Sequence, residues 1–171
     1  MKIRPACAAD TNAIHALIVH YAAKGVLLPR SVEDVLREIN TFTVCEHAGI
    51  IVGCLSLVQY HAGLAEIRSV AVEATRAGSG IGSRLVRHAL NLASARGVAG
   101  VLAVTGTPTF FARFGFQRAD GAAITEKVQR DCRECAKAQF CSLVPMMADL
   151  EAQPVLLPFA PHVNLEIATE C

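Results

Sequence analysis

The sequence predicts a mixed α/β fold in which helices cover both faces of one central sheet. Extended apolar runs are interspersed with helical segments, and the predicted order of elements is β-α-α-β-β-β-α-β-α-β. Of the 171 residues, 53% are hydrophobic and 18% are charged, which favours a packed core over a disordered chain. This length suits one domain, which we place at residues 1–150, followed by a C-terminal tail at 151–171.

Each predicted element has a local signal in the sequence. Asp10 is a candidate cap for the first helix, and Ser31 with Asp34 is close to a capping box for the second. Extended runs on either side of Ala48-Gly49 predict a hairpin. Beyond these, the pattern predicts strands at 2–7, 43–47, 50–60, 64–72, 101–105 and 143–150, a helix at 81–96 and a short helix that begins near Pro108.

Composition argues against several classes of function. The formal net charge is only +1 and aromatic residues make up 5% of the chain, so neither a basic nor a stacking surface for nucleic acid is indicated. The sequence contains no apolar run of the roughly 18 residues that a membrane span requires. It opens without a signal-peptide pattern, and its seven cysteines are an odd number, so we expect a cytoplasmic protein with reduced thiols.

A glycine-rich segment, 76–83 (Arg-Ala-Gly-Ser-Gly-Ile-Gly-Ser), lies between a predicted strand and a predicted helix. Glycines let other groups approach the backbone, and a helix N-terminus presents several N–H groups with a favourable dipole. A pyrophosphate needs this arrangement, although the same residues also suit an ordinary flexible turn. The segment is neither a Rossmann loop nor a Walker loop, because neither pattern of glycines and lysine is present.

Together with Val70-Ala71-Val72 before it and Leu85-Val86 after it, this segment resembles the acetyl-CoA motif of the GNAT superfamily of acetyltransferases. Farther along the chain, 110–116 (Phe-Phe-Ala-Arg-Phe-Gly-Phe) resembles the second signature of that superfamily, a short helix that ends in Gly-Phe. The resemblance implies the GNAT fold, with acetyl-CoA as co-substrate. It implies that pantetheine pairs with the strand edge at Val70 and Val72. The N–H groups that it implies for the pyrophosphate are those of Gly78, Gly80, Gly82 and Ser83.

Two positions depart from the superfamily pattern. Ala77 stands where members usually have Arg or Gln, so Arg76 or Arg84 is expected to replace that contact with the cofactor. Phe111 stands where many members have a tyrosine that protonates the CoA thiolate. We expect Phe111 to contact the cofactor, but its side chain has no proton to donate.

A narrower resemblance, over most of residues 1–150, is to the acetyltransferase domain of N-acetylglutamate synthases. The segments 25–31, 65–72 and 126–132 carry it, and the last is similar to the insert of the short form that lacks an amino-acid-kinase domain. The resemblance implies acetylation of the amino group of L-glutamate, the first step of arginine biosynthesis. A GNAT transferase for another small amine or amino acid and a non-catalytic acyl-CoA-binding domain are the alternatives.

Glutamate carries two carboxylates, for which arginine is the natural bidentate partner. Arg30 lies in an apolar loop and Arg68 lies in a strand otherwise rich in Ile, Val and Ala. We therefore predict that both bind the acceptor, with Lys127 as a third candidate. The alternative for each is an ordinary solvated charge on the surface.

Direct acetyl transfer requires a base for the amine, a donor for the thioester carbonyl and an acid for the CoA thiolate. We predict Glu66 as the general base, acting through a water, with an exposed charge at the strand end or a structural ion pair as the alternatives. Thr105, at the end of a predicted strand, is the candidate acid, and Thr107 or solvent could replace it. Tyr60 and Tyr21 are more distant candidates for that role.

Three cysteines, Cys132, Cys135 and Cys141, are close together in a loop-rich insert at 120–142. Close cysteines bind zinc as thiolates, but a closed structural site has four ligands. Asp131, a histidine or Cys171 could complete such a site, and a group of neutral or redox-active thiols is the alternative. The apolar residues of the tail, Val155-Leu156-Leu157 among them, predict packing against the domain or against a second subunit of a homodimer.

Overall fold

The computed structural model describes residues 1–120, 124–127, 131–133, 135 and 141–151. Within them, one sheet has the strand order β1-β2-β3-β4-β5-β7-β6. The strands are β1 (Lys2–Pro5), β2 (Phe42–His47), β3 (Ile50–His61), β4 (Leu64–Val72), β5 (Gly100–Thr105), β6 (Gln117–Arg118) and β7 (Val144–Asp149). The helices are α1 (Thr11–Ala22), α2 (Val32–Arg37), α3 (Ile81–Ala95), α4 (Pro108–Ala112) and the short α5 (Thr125–Lys127). Strands β4 and β5 pair in parallel and all other described pairs are antiparallel, which confirms the predicted mixed sheet.

Helices cover both faces of this sheet, as the sequence predicted. Neighbouring residues of β2 face opposite sides, because side chains alternate along a strand. Val44 packs in a core with α1 and α2, whereas Cys45 packs in a core with α3. The first core contains Ile14, Ile18, Val35, Phe42, Val44, Cys54 and Ala71. The second is larger, and α3 contributes Ile81, Leu85, Val86, Ala89 and Ala93 to it.

Two local predictions in the first half of the chain are confirmed. The β2–β3 hairpin turns through Ala48 (φ 51°) and Gly49 (φ 77°), the pair of left-handed residues that a tight hairpin requires. Ser31 caps α2: its Oγ accepts from the N–H of Asp34 at 3.0 Å, and the Asp34 carboxylate accepts from the N–H of Ser31 at 3.3 Å. This capping box fixes where the chain enters α2, directly after the loop that carries Arg30.

Asp10 does not cap α1 with its side chain, contrary to the prediction. Its carboxylate instead binds Arg4 at 2.6 and 2.9 Å and accepts from the N–H of Cys7 at 2.9 Å. The hydrogen bond from Arg4 holds the pKa of Asp10 below its usual value, although burial opposes the shift. The residue therefore ties β1 to the start of the helical segment.

Other differences from the sequence prediction are small. Strand β1 ends at Pro5 rather than Cys7, and the two-residue strand β6 was not predicted. In the part of the chain described, no helix has the length and apolarity needed to cross a membrane. Nearly all of the predicted tail lies outside the described residues, so its packing and the homodimer stay predictions.

Candidate active site

The centre of the sheet opens between its two parallel strands. Strands β4 and β5 pair from Leu64 and Gly100 to Ile67 and Ala103. Beyond those residues β4 continues to Val72 and β5 to Thr105, but no further pairing joins them in the described part of the chain. The strands therefore separate towards their carboxyl ends. This separation leaves the edge of β4 that faces β5 free to pair with an extended ligand, at the Val70 and Val72 positions that the sequence singled out.

A bulge in β4 lies where the two strands begin to separate. Ser69 has a left-handed φ of 51°, which is uncommon for a residue with a Cβ. Strand β3 pairs Ser56 with Arg68 and Cys54 with Ala71, so two residues of β4 lie opposite one residue of β3. Such a bulge bends and twists the strand that contains it, which accounts for the divergence of β4 from β5.

The glycine-rich loop leads from the end of β4 to the N-terminus of α3. Gly78 (φ 80°) and Gly80 (φ 84°) are both left-handed, and a Cβ added to either would meet no atom within 4 Å. The first helical hydrogen bond of α3 joins the N–H of Arg84 to the carbonyl of Gly80 at 3.0 Å. The N–H groups of residues 81–83 precede that bond and have no carbonyl partner within the helix. The loop therefore offers an open, backbone-built site for an anion.

This helix N-terminus lies beside the separated strands. A Cβ added to Gly82 would come within 3.7 Å of Val72 and within 3.5 Å of the Phe110 ring on α4. The end of β4, the start of α3 and α4 therefore meet at one place. A ligand with a diphosphate at one end and an extended amide chain at the other could lie across all three.

Phe111, the predicted cofactor contact, is 5% exposed and packs in the core with Phe116. Its neighbour Phe110 is the ring that lies against Gly82. The reason is the direction in which the short helix α4 presents its side chains. Its inward face packs Phe111 against the sheet, and Phe110 is left at the edge.

The two arginines expected to compensate for Ala77 are both on the outside of the loop. Arg76 binds Glu73 at 2.8 Å, and both side chains are about two-fifths exposed. Arg84 is exposed in the first turn of α3. Ser83 is partly buried in the same turn.

Helices α1 and α2 cover one face of the sheet, but they do not cover the whole length of β3 and β4. A cluster of charged side chains lies on the uncovered part of that face. Glu66 is 2% exposed and lies at its centre. Its Oε2 accepts from Arg68 Nε at 2.5 Å and from the Tyr60 hydroxyl at 2.6 Å, and its Oε1 accepts from Lys127 Nζ at 2.9 Å. Asp131 completes the cluster, because Arg68 Nη2 and Lys127 Nζ both donate to its Oδ2. The structure thus brings together Glu66, Arg68 and Lys127, three of the residues that the sequence analysis selected for separate roles, and their functions stay predictions.

The charges of this cluster act on the pKa of several members. Burial alone would lower the pKa of Arg68, but Glu66, Tyr60 and Asp131 together raise it above its usual value. Burial and the adjacent carboxylate of Glu66 raise the pKa of Tyr60, so the phenol stays protonated. Burial opposes ionisation of Asp131, but Arg68 and Lys127 outweigh it and lower the pKa of this carboxyl. At neutral pH the cluster therefore contains ionised Asp131 and a cationic Arg68.

Arg30 lies apart from this cluster, in the loop before α2. Its Nη2 donates to Glu38 at 2.6 Å, and its guanidinium carbon lies 5.9 Å from the centroid of the Phe42 ring. Its Nη1 is buried without a hydrogen-bond partner among the described residues. Phe42 of β2 pairs with Ser56 of β3, and Ser56 pairs with Arg68 of β4. Arg30, next to Phe42, and Arg68 therefore lie near opposite ends of this row of three residues. A buried unpaired donor is costly, which makes Arg30 a candidate for a ligand carboxylate.

Thr105, the predicted acid, lies at the carboxyl end of β5, on the far side of the opening from β4. Its Oγ1 accepts from the N–H of Thr107 at 2.9 Å and lies 3.1 Å from the Thr107 hydroxyl. Tyr21, the most distant candidate for that role, donates its hydroxyl to the carbonyl of Val72 at 2.6 Å. It therefore supports the end of β4.

The zinc site predicted at Cys132, Cys135 and Cys141 gains no support. Among the described residues, no group of three or more His, Cys, Asp or Glu side chains is placed to hold a metal ion. All three cysteines are free thiols, and burial raises the pKa of Cys132.

Sequence reasoning missed two members of the cluster. Asp131 was considered only as a fourth zinc ligand, because nothing local places the insert against β4. Tyr60 was treated as a distant alternative, although a signal was present. The hairpin of β3 and β4 pairs Val58 with Glu66, and the alternation of side chains puts Tyr60 on the same face as Val58.

Comparison with known proteins shows which family and which proteins this chain resembles. Residues 38–118 match the acetyltransferase (GNAT) domain family. An uncharacterized N-acetyltransferase of Chlorobaculum tepidum is 36% identical over 148 residues, which are 86% of this chain and 96% of that protein. An amino-acid acetyltransferase of Mycobacterium tuberculosis is 35% identical over 129 residues, which are 74% of each chain.

Comparison with solved structures finds proteins of the same fold. N-acetylglutamate synthase from Neisseria gonorrhoeae, complexed with coenzyme A and N-acetyl-glutamate, aligns with a TM-score of 0.79 at 30% identity. The alignment covers 87% of this chain and 35% of that one, so this chain spans about a third of the longer protein. The Mycobacterium tuberculosis protein Rv2747, in complex with CoA and NLQ, aligns with a TM-score of 0.75 at 28% identity, over 88% of this chain and 99% of that one.

Proposed function

Because this chain belongs to the GNAT family of N-acetyltransferases, we propose that it acetylates the α-amino group of L-glutamate. It is an acyltransferase, and acetyl-CoA is its co-substrate. The proposal concerns the acceptor, and the observation that carries it is the cationic pair Arg68 and Lys127 at the opening of the sheet. The products would be N-acetyl-L-glutamate and CoA, which would place the reaction at the first step of arginine biosynthesis.

The described residues fit two parts of the cofactor, its diphosphate and its pantetheine chain. The diphosphate would accept from the N–H groups of residues 81–83, where Gly78 and Gly80 leave open space around the backbone. The pantetheine amides would pair with the free edge of β4 at Val70 and Val72. A backbone N–H near Val70 would then lie close to the thioester carbonyl and stabilise the oxyanion that forms during transfer.

The acceptor would lie on the face of β4 that carries the charged cluster, between Arg30 and Arg68. Strands are spaced by about 4.8 Å, so the backbones of β2 and β4 are roughly 10 Å apart at the row of Phe42, Ser56 and Arg68. Arg30 lies against Phe42, the first of these residues, and its buried Nη1 has no hydrogen-bond partner among the described residues. Arg68, at the third, has a fork-shaped group suited to a second carboxylate. A dicarboxylic amino acid could bridge the two.

Glu66 is our choice for the general base. It is a buried carboxylate one residue before the end of the paired part of β4, close to where the thioester would lie. It would take a proton from the acceptor ammonium through a water, and the neutral amine would then attack the thioester carbonyl. Collapse of the tetrahedral intermediate expels the CoA thiolate. The second proton of the attacking nitrogen would pass to that sulfur, and the hydroxyl of Thr105, on the opposite strand, would donate a hydrogen bond to the sulfur or relay this proton.

The test is a panel of acceptors. L-glutamate, L-aspartate, L-glutamine and a polyamine would each be incubated with acetyl-CoA. Cys132, Cys135 and Cys141 are free thiols and react with thiol reagents, so the acetylated product is better quantified by mass spectrometry. We expect kcat/KM for glutamate to exceed that for glutamine by roughly tenfold or more, because a carboxylate gains charge-assisted bonds that an amide does not. Faster turnover of glutamine or the polyamine would overturn the assignment of glutamate.

A matched pair of variants tests the role of Arg30. Arg30→Met removes a partly buried guanidinium, whereas Arg37→Met removes one that is 68% exposed on α2. We expect Arg30→Met to raise KM for glutamate roughly tenfold with little change in KM for acetyl-CoA. Arg37→Met should leave both constants within about twofold.

A further inference from the structure

The carboxylate of Asp131 lies where a carboxylate of the acceptor would be expected to bind. Its Oδ2 accepts from Lys127 Nζ at 3.1 Å, lies 3.2 Å from the Tyr60 hydroxyl and accepts from Arg68 Nη2. The two cationic donors come from β4 and α5 and converge on one oxygen, whereas the single hydroxyl proton of Tyr60 is directed to Glu66 Oε2 at 2.6 Å. A guanidinium and an ammonium together form a typical subsite for a carboxylate anion.

We propose that Asp131 is a specificity-determining residue that occupies this subsite in the free enzyme and is displaced by a carboxylate of the acceptor. The inference rests on the proposed function in one respect, namely that the acceptor is acidic. It adds that the insert competes with the acceptor for Arg68 and Lys127, and that an acceptor must bring its own carboxylate to replace Asp131.

Charge balance supports displacement rather than addition. Among the described residues, the charged side chains that meet here are Glu66, Asp131, Arg68 and Lys127, and their formal charges sum to zero when all are ionised. A further carboxylate would give this partly buried site a net negative charge, which is unfavourable. If Asp131 leaves, the remaining three groups carry a net positive charge, and a single incoming carboxylate restores neutrality.

Of the two protein carboxylates, only Asp131 is placed to move. The Glu66 side chain is 2% exposed and belongs to a strand that pairs on both sides at that residue. The Asp131 side chain is 26% exposed and lies outside the sheet, in the insert between β6 and β7. Its release would break ion pairs without disturbing any sheet hydrogen bond. Glu66 would keep its position in β4.

Displacement would select acceptors by chemistry. An amino acid with an amide or apolar side chain offers only its α-carboxylate, so it could not fill this subsite and the Arg30 site together. A dicarboxylic amino acid could fill both. Asp131 competes only with an acceptor group that enters this subsite, and only an acidic acceptor brings a second carboxylate that can replace the lost interactions.

Calorimetric binding of glutarate tests this inference without any need for turnover. Glutarate is a dicarboxylate that lacks the amino group, so it binds as an acceptor would but cannot react. We expect Asp131→Asn to lower the Kd for glutarate at least threefold relative to wild type, because the neutral amide competes less well for Arg68 and Lys127. Asp149→Asn, the same change at the exposed end of β7, should leave that Kd unchanged.

The outcomes separate the inference from the proposed function. An unchanged or larger Kd in Asp131→Asn, or no glutarate binding by either protein, would overturn the inference even if glutamate is acetylated. A lower Kd in a protein that does not acetylate glutamate would sustain the inference and remove only the assignment of glutamate. If the Kd of Asp131→Asn for glutarate is unchanged or larger, Asp131 would be a fixed residue that positions Arg68.

Tryptic cleavage of the wild-type protein provides a second measurement, which does not depend on whether the variant folds. Arg133 is exposed two residues after Asp131. Displacement frees this part of the insert, so saturating glutarate should speed cleavage after Arg133 by twofold or more. Cleavage that slows or stays constant in the presence of glutarate would contradict displacement.

Discussion

The two ends of the candidate active site are formed by different parts of the chain. The cofactor end consists of backbone: the N–H groups at the start of α3, two left-handed glycines and the free edge of β4. The acceptor end consists of side chains, with Glu66, Arg68 and Lys127 joined by hydrogen bonds of 2.5 to 3.2 Å. Each end includes a part of β4, and these two parts lie on either side of the bulge at Ser69.

This difference predicts how each end responds to substitution. A backbone site depends on chain conformation and on open space, so it should tolerate changes of charge and resist added bulk. A site of paired charges depends on every partner, because removing one leaves another buried and uncompensated. Changes of charge should therefore affect acceptor use strongly and cofactor binding weakly.

The largest effect is expected for Glu66→Gln. The amide cannot accept the proton of the acceptor, so kcat should fall by roughly 10²- to 10⁴-fold. Steady-state kinetics with saturating acetyl-CoA measures this. A loss of less than tenfold would show that Glu66 is a structural ion-pair partner and that the base lies elsewhere.

Arg68→Lys should have the next largest effect. The change keeps the charge but loses the fork that reaches Glu66 through Nε and Tyr60 through Nη2 at 2.6 Å. We expect kcat/KM for the acceptor to fall by about 10- to 100-fold, because charge-assisted hydrogen bonds contribute roughly 1.5–3 kcal/mol each. If activity persisted within threefold, charge alone would account for the role of Arg68.

At the cofactor end, Gly82 allows a test of bulk. A Cβ there would meet Phe110 and Val72 at ordinary contact distances of 3.5 and 3.7 Å, so Gly82→Ala should fit. Gly82→Val adds two methyl groups in the same direction and should raise KM for acetyl-CoA by roughly tenfold through crowding. Acceptor KM should not change. Equal effects of the two substitutions would show that space at this position does not matter.

The smallest effects are expected at Arg76 and Arg84. Both are on the outside of the loop, and Arg76 already pairs with Glu73 at 2.8 Å. Exposed pairs contribute roughly 0–1 kcal/mol, so either alanine substitution should change KM for acetyl-CoA by less than about threefold. A larger change in Arg76→Ala would mean that its side chain replaces the contact missing at Ala77.

Much of the fold was predictable because its signals are local. The capping box of Ser31 and Asp34, the Ala48-Gly49 turn and the glycine loop each depend on a few adjacent residues. The separation of β4 from β5 was not predictable in this way. It depends on a bulge at Ser69, where a serine adopts a left-handed φ and the register between β4 and β3 shifts.

The acceptor end was predictable only in part, for a related reason. Glu66 and Arg68 are two residues apart on a strand, so the sequence places them on one face. Asp131 lies 63 residues after Arg68 and belongs to an insert without strong periodicity, so only the folded chain brings them together. The side chain of Asp10 does not cap α1, because Arg4, six residues earlier, forms two hydrogen bonds with its carboxylate.

The most direct test of the division between the two ends is calorimetric titration of CoA into wild type, Glu66→Gln and Arg68→Lys. We predict that the Kd for CoA stays within about threefold in all three proteins, although the two variants lose turnover, since backbone amides provide the cofactor contacts. A Kd that rises in parallel with the loss of turnover would contradict this account. It would mean that the charged cluster also organises the cofactor end.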